Sequence, residues 1–101
     1  MSFKCISVDA ARELIERNNA QVIDIRDMRS YEAGHIANAE RIDNSNVEGF
    51  IQRADTARPL IVCCYHGNTS KGAAEYFASK GFAEAYSLDG GYAAWRLVSR
   101  E

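Results

Sequence analysis

The segment Pro59-Leu60-Ile61-Val62-Cys63 constrains the fold more than any other part of the chain. Leu60 to Cys63 are apolar at every position, so a strand built from them can show neither face to water. Such a run suits a central strand covered by helices on both sides. Pro59 suits its start, because proline has no N–H to give to the ladder.

The flanking sequence supplies the helices and the other strands. Cys5-Ile6 reads as a short strand, and Ser7 as the cap of a helix whose Val8, Ala11, Leu14 and Ile15 fall at helical spacing. Asn18-Asn19 ends that helix. Gln21 to Ile25 is rich in β-branched residues and reads as a strand. Met28 to Ala33 predicts a short helical turn closed by Gly34, and Ala39 to Ile42 a strand. Ser45 and Glu48 match a capping box ahead of an apolar face of Val47, Phe50, Ile51 and Ala54. Ser70 to Lys80 predicts a helix with Ala73, Ala74, Tyr76 and Phe77 inward and Gly81 as its stop. Ala85 to Leu88 is a last strand. After the turn Asp89-Gly90-Gly91 a final helix runs from about Tyr92 to Ser99, with Trp95 in the core. Strands alternating with helices predict an α/β fold with a mainly parallel central sheet and helices on both faces. A chain of 101 residues predicts one domain over residues 1–101.

Composition excludes several classes of function. Hydrophobic residues at 47% and charged residues at 26% exclude dominant disorder. A net charge of -2 leaves no basic excess for a phosphate backbone, so no nucleic-acid partner is expected. The longest apolar run, Leu60 to Tyr65, is far shorter than the ~20 residues of a membrane span. Met1 to Ser7 lacks the apolar stretch of a secretory signal, and a cytoplasmic location is expected. Three cysteines without a CxxC spacing predict free thiols rather than a disulfide scaffold.

In parallel sheets the site lies at the carboxyl ends of the strands. There the chain reads Cys64-Tyr65-His66-Gly67-Asn68-Thr69-Ser70-Lys71. A strand, a polar loop with glycine and a helix start make a nest of backbone N–H groups at the positive end of a helix dipole. In a phosphate site an anion fills such a nest. Here Cys64 brings its own anion, the thiolate, and the setting is expected to lower its pKa. Gly67 is free to take positive φ, and Asn68 tolerates it. Cys63, one residue earlier, points into a layer between sheet and helix, and Cys5 reads as core or edge. A Cys63–Cys64 redox pair would be strained. His66 reads as a solvent-facing residue at the mouth rather than the base of a Cys–His dyad. Lys71 reads equally as a surface lysine and as a contact for an anionic substrate. His35 reads as structural, since no second ligand stands at metal spacing.

These residues resemble the rhodanese family of sulfurtransferases. Asp24-Ile25-Arg26-Asp27, Tyr31, Gly34-His35-Ile36 and Asn38-Ala39 resemble the family's N-terminal signature. The loop at Cys64 is similar to its active loop, and Leu88-Asp89-Gly90-Gly91-Tyr92 with Trp95 to its C-terminal signature. The chain is most similar to single-domain, thiosulfate-using bacterial members, whose loops also read Cys-Tyr-His-Gly-Asn. The resemblance implies a catalytic Cys64 that takes sulfane sulfur from thiosulfate as a persulfide. It implies an acceptor such as cyanide, a thiol or a dithiol protein such as thioredoxin, and no metal or organic cofactor. It places Tyr65, His66, Gly67, Asn68, Thr69, Ser70 and Lys71 around the substrate. Many thiosulfate-specific members carry basic residues just after the cysteine, where this chain has Tyr65 and His66, so weak thiosulfate binding is expected.

Three other readings remain at this level. A persulfide carrier charged by another sulfur donor would use the same chemistry. A cysteine phosphatase or arsenate reductase would need a longer loop ending in arginine, and no arginine lies between Arg58 and Arg96. A non-catalytic interaction module would have no use for Cys64.

Overall fold

A computed structural model describes residues 2–99. Five strands alternate with five helices: β1 (Lys4–Ile6), α1 (Val8–Asn18), β2 (Gln21–Asp24), α2 (Met28–Ala33), β3 (Glu40–Arg41), α3 (Val47–Arg53), β4 (Leu60–Cys63), α4 (Thr69–Ser79), β5 (Ala85–Leu88) and α5 (Gly91–Ser99). The strands form one sheet in the order β1-β5-β4-β2-β3, and every pairing is parallel. The apolar strand β4 is central, as its composition requires, and all four of its residues are buried.

Side chains alternate across the sheet, and the two halves of the core follow that alternation. Val22, Ile61, Cys63 and Leu88 face one layer, with Val8 and Ala11 of α1 and Trp95 of α5. Ile23, Leu60, Val62 and Ala85 face the other, with Phe50 of α3 and Ala74, Phe77 and Ala78 of α4. Both faces of the sheet are therefore covered. Phe77 meets Phe50 and Phe82 edge to face in the second layer. Cys5 lies exposed on the edge strand β1.

Local signals explain most of the boundaries. Ser7 Oγ accepts from the Ala10 N–H and opens α1, and Asn19 closes it in the left-handed region at φ 54°. Asp27 caps α2 by accepting from the Ser30 N–H. Two expectations fail. The capping box at Ser45 does not form: Asn46 holds the N-cap position of α3 without a side-chain bond to the helix. The Ser45 N–H and hydroxyl both donate to Asp43 Oδ1, at 2.9 and 2.6 Å, so that hydroxyl is spent before the helix begins. These bonds, with Arg41, hold the Asp43 carboxyl down at a pKa of about 2. Tyr76 does not enter the core but is 38% exposed. The buried stripe of α4 runs Ser70, Ala74, Phe77, Ala78, and Tyr76 sits off it by about 200° of helix rotation from either Ala74 or Ala78.

Candidate active site

Strand β4 ends at Cys63, and the chain then wraps around the sulfur of Cys64. Two backbone donors and one hydroxyl converge on that atom. The Gly67 N–H lies 3.2 Å from Sγ, the Ser70 N–H 3.3 Å and the Ser70 hydroxyl 3.3 Å. The Gly67 and Ser70 amides form the expected nest, and Ser70 belongs to the first turn of α4, the positive end of that helix. Gly67 alone takes positive φ here, at 92°, while Asn68 stays in the right-handed region at φ -93°.

Cys64 is 3% exposed. Burial works against its ionisation, but the bonds from the Ser70 hydroxyl and the Ser70, Gly67 and His66 amides outweigh it and hold the thiol below its ordinary pKa. Cys63 is the contrast. It has the same chemistry one residue earlier, but burial and then the nearby Asp24 carboxylate push it up to about 12. The cradle thus favours ionisation of Cys64, while burial opposes it in the neighbouring Cys63.

The loop's carbonyls are turned the other way, toward α5. The Tyr92 N–H donates to the Cys64 carbonyl at 2.8 Å and the Ala93 N–H to the Tyr65 carbonyl at 3.1 Å. The first turn of α5 thus spends free N–H groups on the Cys64 loop. This contact needs Gly91: a Cβ there would stand 2.5 Å from the Cys64 carbonyl oxygen. Gly67 backs onto the same turn, where a Cβ would stand 2.8 Å from the Gly90 nitrogen. Asp89-Gly90-Gly91 reads in the sequence as a turn, and in the structure Gly90 and Gly91 lie against the loop that holds Cys64.

A buried ion pair braces the floor. Arg26 Nε and Nη2 donate to the Asp24 carboxylate at 2.6 to 3.1 Å, and Nη2 also donates to the Gly34 carbonyl at 2.7 Å. The Arg26 guanidinium lies 4.3 Å from the Tyr92 ring centre, so it ties β2 to the start of α5. His35 stacks on Tyr31, and its Nδ1 lies 2.8 Å from the Tyr31 carbonyl oxygen, a structural place.

Tyr65 and His66 form the rim, and Tyr65 is 47% exposed. The Tyr65 hydroxyl donates to the Asp27 carboxylate and lies 2.8 Å from Ser30 Oγ, which anchors the rim to the cap of α2. Beside it opens a groove of about 470 Å³ walled by Tyr65, His66, Tyr92, Arg26 and Arg96. Asn68, Thr69 and Lys71 are exposed on the helix side of the loop, and Lys71 is not on the groove's walls. Of the residues expected around the substrate, Gly67 and Ser70 therefore meet the sulfur directly. Two residues of the site carried no clear signal. Ser87 on β5 meets Ser70 Oγ at 2.7 Å, and its only trace in the sequence is a hydroxyl inside an apolar strand. Gly91 was visible as a glycine but not as a neighbour of Cys64.

Comparison with known proteins shows the family and the fold. The family model of the rhodanese-like domain matches residues 7–97. A protein of Pseudomonas paraeruginosa named thiosulfate sulfurtransferase GlpE is 53% identical over 97 residues, which cover 96% of this chain and 87% of the relative. One of the same name from Pseudoalteromonas translucida is 42% identical over 101 residues, covering 100% of this chain and 96% of the relative. Among solved structures, a rhodanese-like domain protein from Staphylococcus aureus superposes with a TM-score of 0.78 at 26% identity, covering 92% of this chain and 91% of that one. The family model spans nearly the whole chain, and the sulfurtransferases of the two bacteria are 42 to 53% identical to it over nearly its full length: the chain belongs to the rhodanese family.

Proposed function

We propose that this chain is a thiosulfate sulfurtransferase that works through a Cys64 persulfide. The observation that carries the reading is the convergence of the Gly67 and Ser70 donors on a buried Cys64 sulfur. The name and near-full-length identity of the GlpE relatives support thiosulfate as the donor. The Cys64 thiolate attacks the outer sulfur of thiosulfate. A bond forms between the two sulfurs, the S–S bond of thiosulfate breaks, and sulfite leaves with its electron pair. The persulfide keeps one negative charge beside the same amides, so the cradle serves both states without rearranging. Cyanide then takes the outer sulfur as thiocyanate and restores the thiolate. A dithiol protein of the thioredoxin kind would accept it by forming its own disulfide and releasing hydrogen sulfide. The two half-reactions share one nucleophile, and ping-pong kinetics follow.

Gly67 and Ser70 hold the reacting sulfur, Tyr65, His66, Asn68 and Thr69 shape its entrance, and Lys71 attracts the dianion from the first turn of α4. The whole chain acts as one domain. Three free cysteines, two of them buried, fit a reducing compartment such as the cytoplasm. No helix among the described residues is long and apolar enough to cross a membrane. The test is steady-state thiocyanate formation from thiosulfate and cyanide. Parallel double-reciprocal lines that vanish in Cys64→Ser are expected. Turnover retained by Cys64→Ser would overturn the reading.

A further inference from the structure

The Ser70 hydroxyl stands between two groups: Cys64 Sγ at 3.3 Å and Ser87 Oγ at 2.7 Å. Both serines are completely buried, in a layer otherwise made of apolar side chains. Ser87 lies on β5, in register with Val62 of β4 and Cys5 of β1. Among the described residues, Ser70 Oγ is the one hydrogen-bond partner of the Ser87 hydroxyl.

We infer that Ser87 is a positioning residue for the sulfur-transfer reaction: its hydroxyl donates to Ser70 Oγ and so fixes the Ser70 hydrogen on the Cys64 sulfur. The inference rests on the sulfurtransferase reading above for its purpose, but not for its geometry. A serine hydroxyl has one hydrogen and two lone pairs. If Ser70 gives its hydrogen to Ser87, the thiolate loses its one side-chain donor. If Ser87 gives its hydrogen to Ser70, both hydroxyls are satisfied and the sulfur keeps its donor. A thiolate accepts and cannot donate, so the chain Ser87 to Ser70 to Cys64 has one direction in the ionised state. Successive hydrogen bonds polarise one another, so the first strengthens the second. In the neutral state the thiol hydrogen can point at Ser70 and the chain can reverse. Ser87 therefore favours the reactive form without touching the sulfur.

The test is the pH dependence of Cys64 alkylation by iodoacetamide, with the site identified by peptide fragmentation, in wild type, Ser87→Ala, Ser70→Ala and the double variant. The titratable and charged groups on the elements that carry or adjoin the loop are Cys63 on β4, His66 in the loop, Lys71 and Glu75 on α4, Asp24 on β2, Arg26 after it, and Asp89 and Tyr92 after β5. All are kept in every variant, so differences report the hydroxyls. Ser87→Ala is expected to move the midpoint upward, slowing alkylation roughly 3- to 10-fold on the acid limb and leaving the alkaline plateau unchanged. Ser70→Ala is expected to move it further, and adding Ser87→Ala to it should change nothing. A merely structural Ser87 would lower the melting temperature without moving the midpoint. Should Ser87→Ala fail to fold, Ser87→Cys keeps the shape, weakens the donor and should shift the profile the same way. An unshifted profile, or a Ser87→Ala shift of equal size in the Ser70→Ala background, overturns the inference. Alkylation needs no sulfur donor, so failure of wild type to take sulfur from thiosulfate would count against the activity alone.

Discussion

The amide of Tyr92 donates to the carbonyl oxygen of Cys64 across 2.8 Å. Two parts of the chain separated by 28 residues are joined here, and the bond decides which way the catalytic peptide faces. With that carbonyl held by α5, the N–H groups further along the loop are free to turn toward the sulfur.

Gly91 permits this contact, at φ 59° and with no room for a side chain. Gly91→Ala should push the Cys64 carbonyl away from α5 and rotate the loop amides off the sulfur. The loss of one preorganised donor costs roughly 10²- to 10³-fold in turnover. The expected outcome is a fall of that order in kcat with a folded protein, seen as a preserved far-UV spectrum. Gly67→Ala should behave alike, since its Cβ would meet the Gly90 nitrogen.

Cys64 ionises below its ordinary value, so the acid limb of sulfur transfer should lie at lower pH than the titration of a free cysteine thiol. The sign for stability follows. A group with a depressed folded pKa stabilises the fold above its unfolded value, and that contribution is lost as pH falls through the folded one. Ser70→Ala removes the largest of the favourable bonds, and its acid limb should lie at higher pH than that of wild type. A pH series of kcat/KM for thiosulfate checks both.

The Asp24–Arg26 pair is buried, with side chains 0% and 4% exposed. Removing one partner leaves the other charge without compensation, which costs about 3–5 kcal/mol. Arg26→Met is therefore expected to lose a large part of a typical stability of ~5–15 kcal/mol. Urea denaturation measures it, and a change below about 1 kcal/mol would contradict the bracing role.

Lys71 stands exposed in the first turn of α4 and is not among the residues that wall the groove. Lys71→Ala should raise KM for thiosulfate several-fold and leave kcat nearly unchanged, because a solvated charge attracts the dianion without touching the bond that breaks. Equal saturation curves for the two proteins would confine Lys71 to the surface.

Much of this arrangement was legible in the sequence, for physical reasons. Leu60 to Cys63 have no polar residue to give to water, which fixes the central strand. Cys64 directly follows them, which puts its sulfur at the strand's carboxyl end, among the amides of the loop. The features that escaped depend on contacts that residue type alone does not reveal. Ser45 is a good cap by type, yet Asp43 two residues earlier captures its hydroxyl. Tyr76 looks apolar enough for the core, but Ala78 holds the stripe. Ser87 acquires its role only because β5 lies beside β4 and places it under Ser70.

The most direct measurement is the intact mass after incubation with thiosulfate, for wild type, Cys63→Ser and Cys64→Ser. Wild type and Cys63→Ser should each gain one sulfur atom and lose it to cyanide, while Cys64→Ser gains none. A sulfur carried by Cys64→Ser, or none carried by wild type, would contradict the assignment of Cys64 as the carrier of sulfur from thiosulfate.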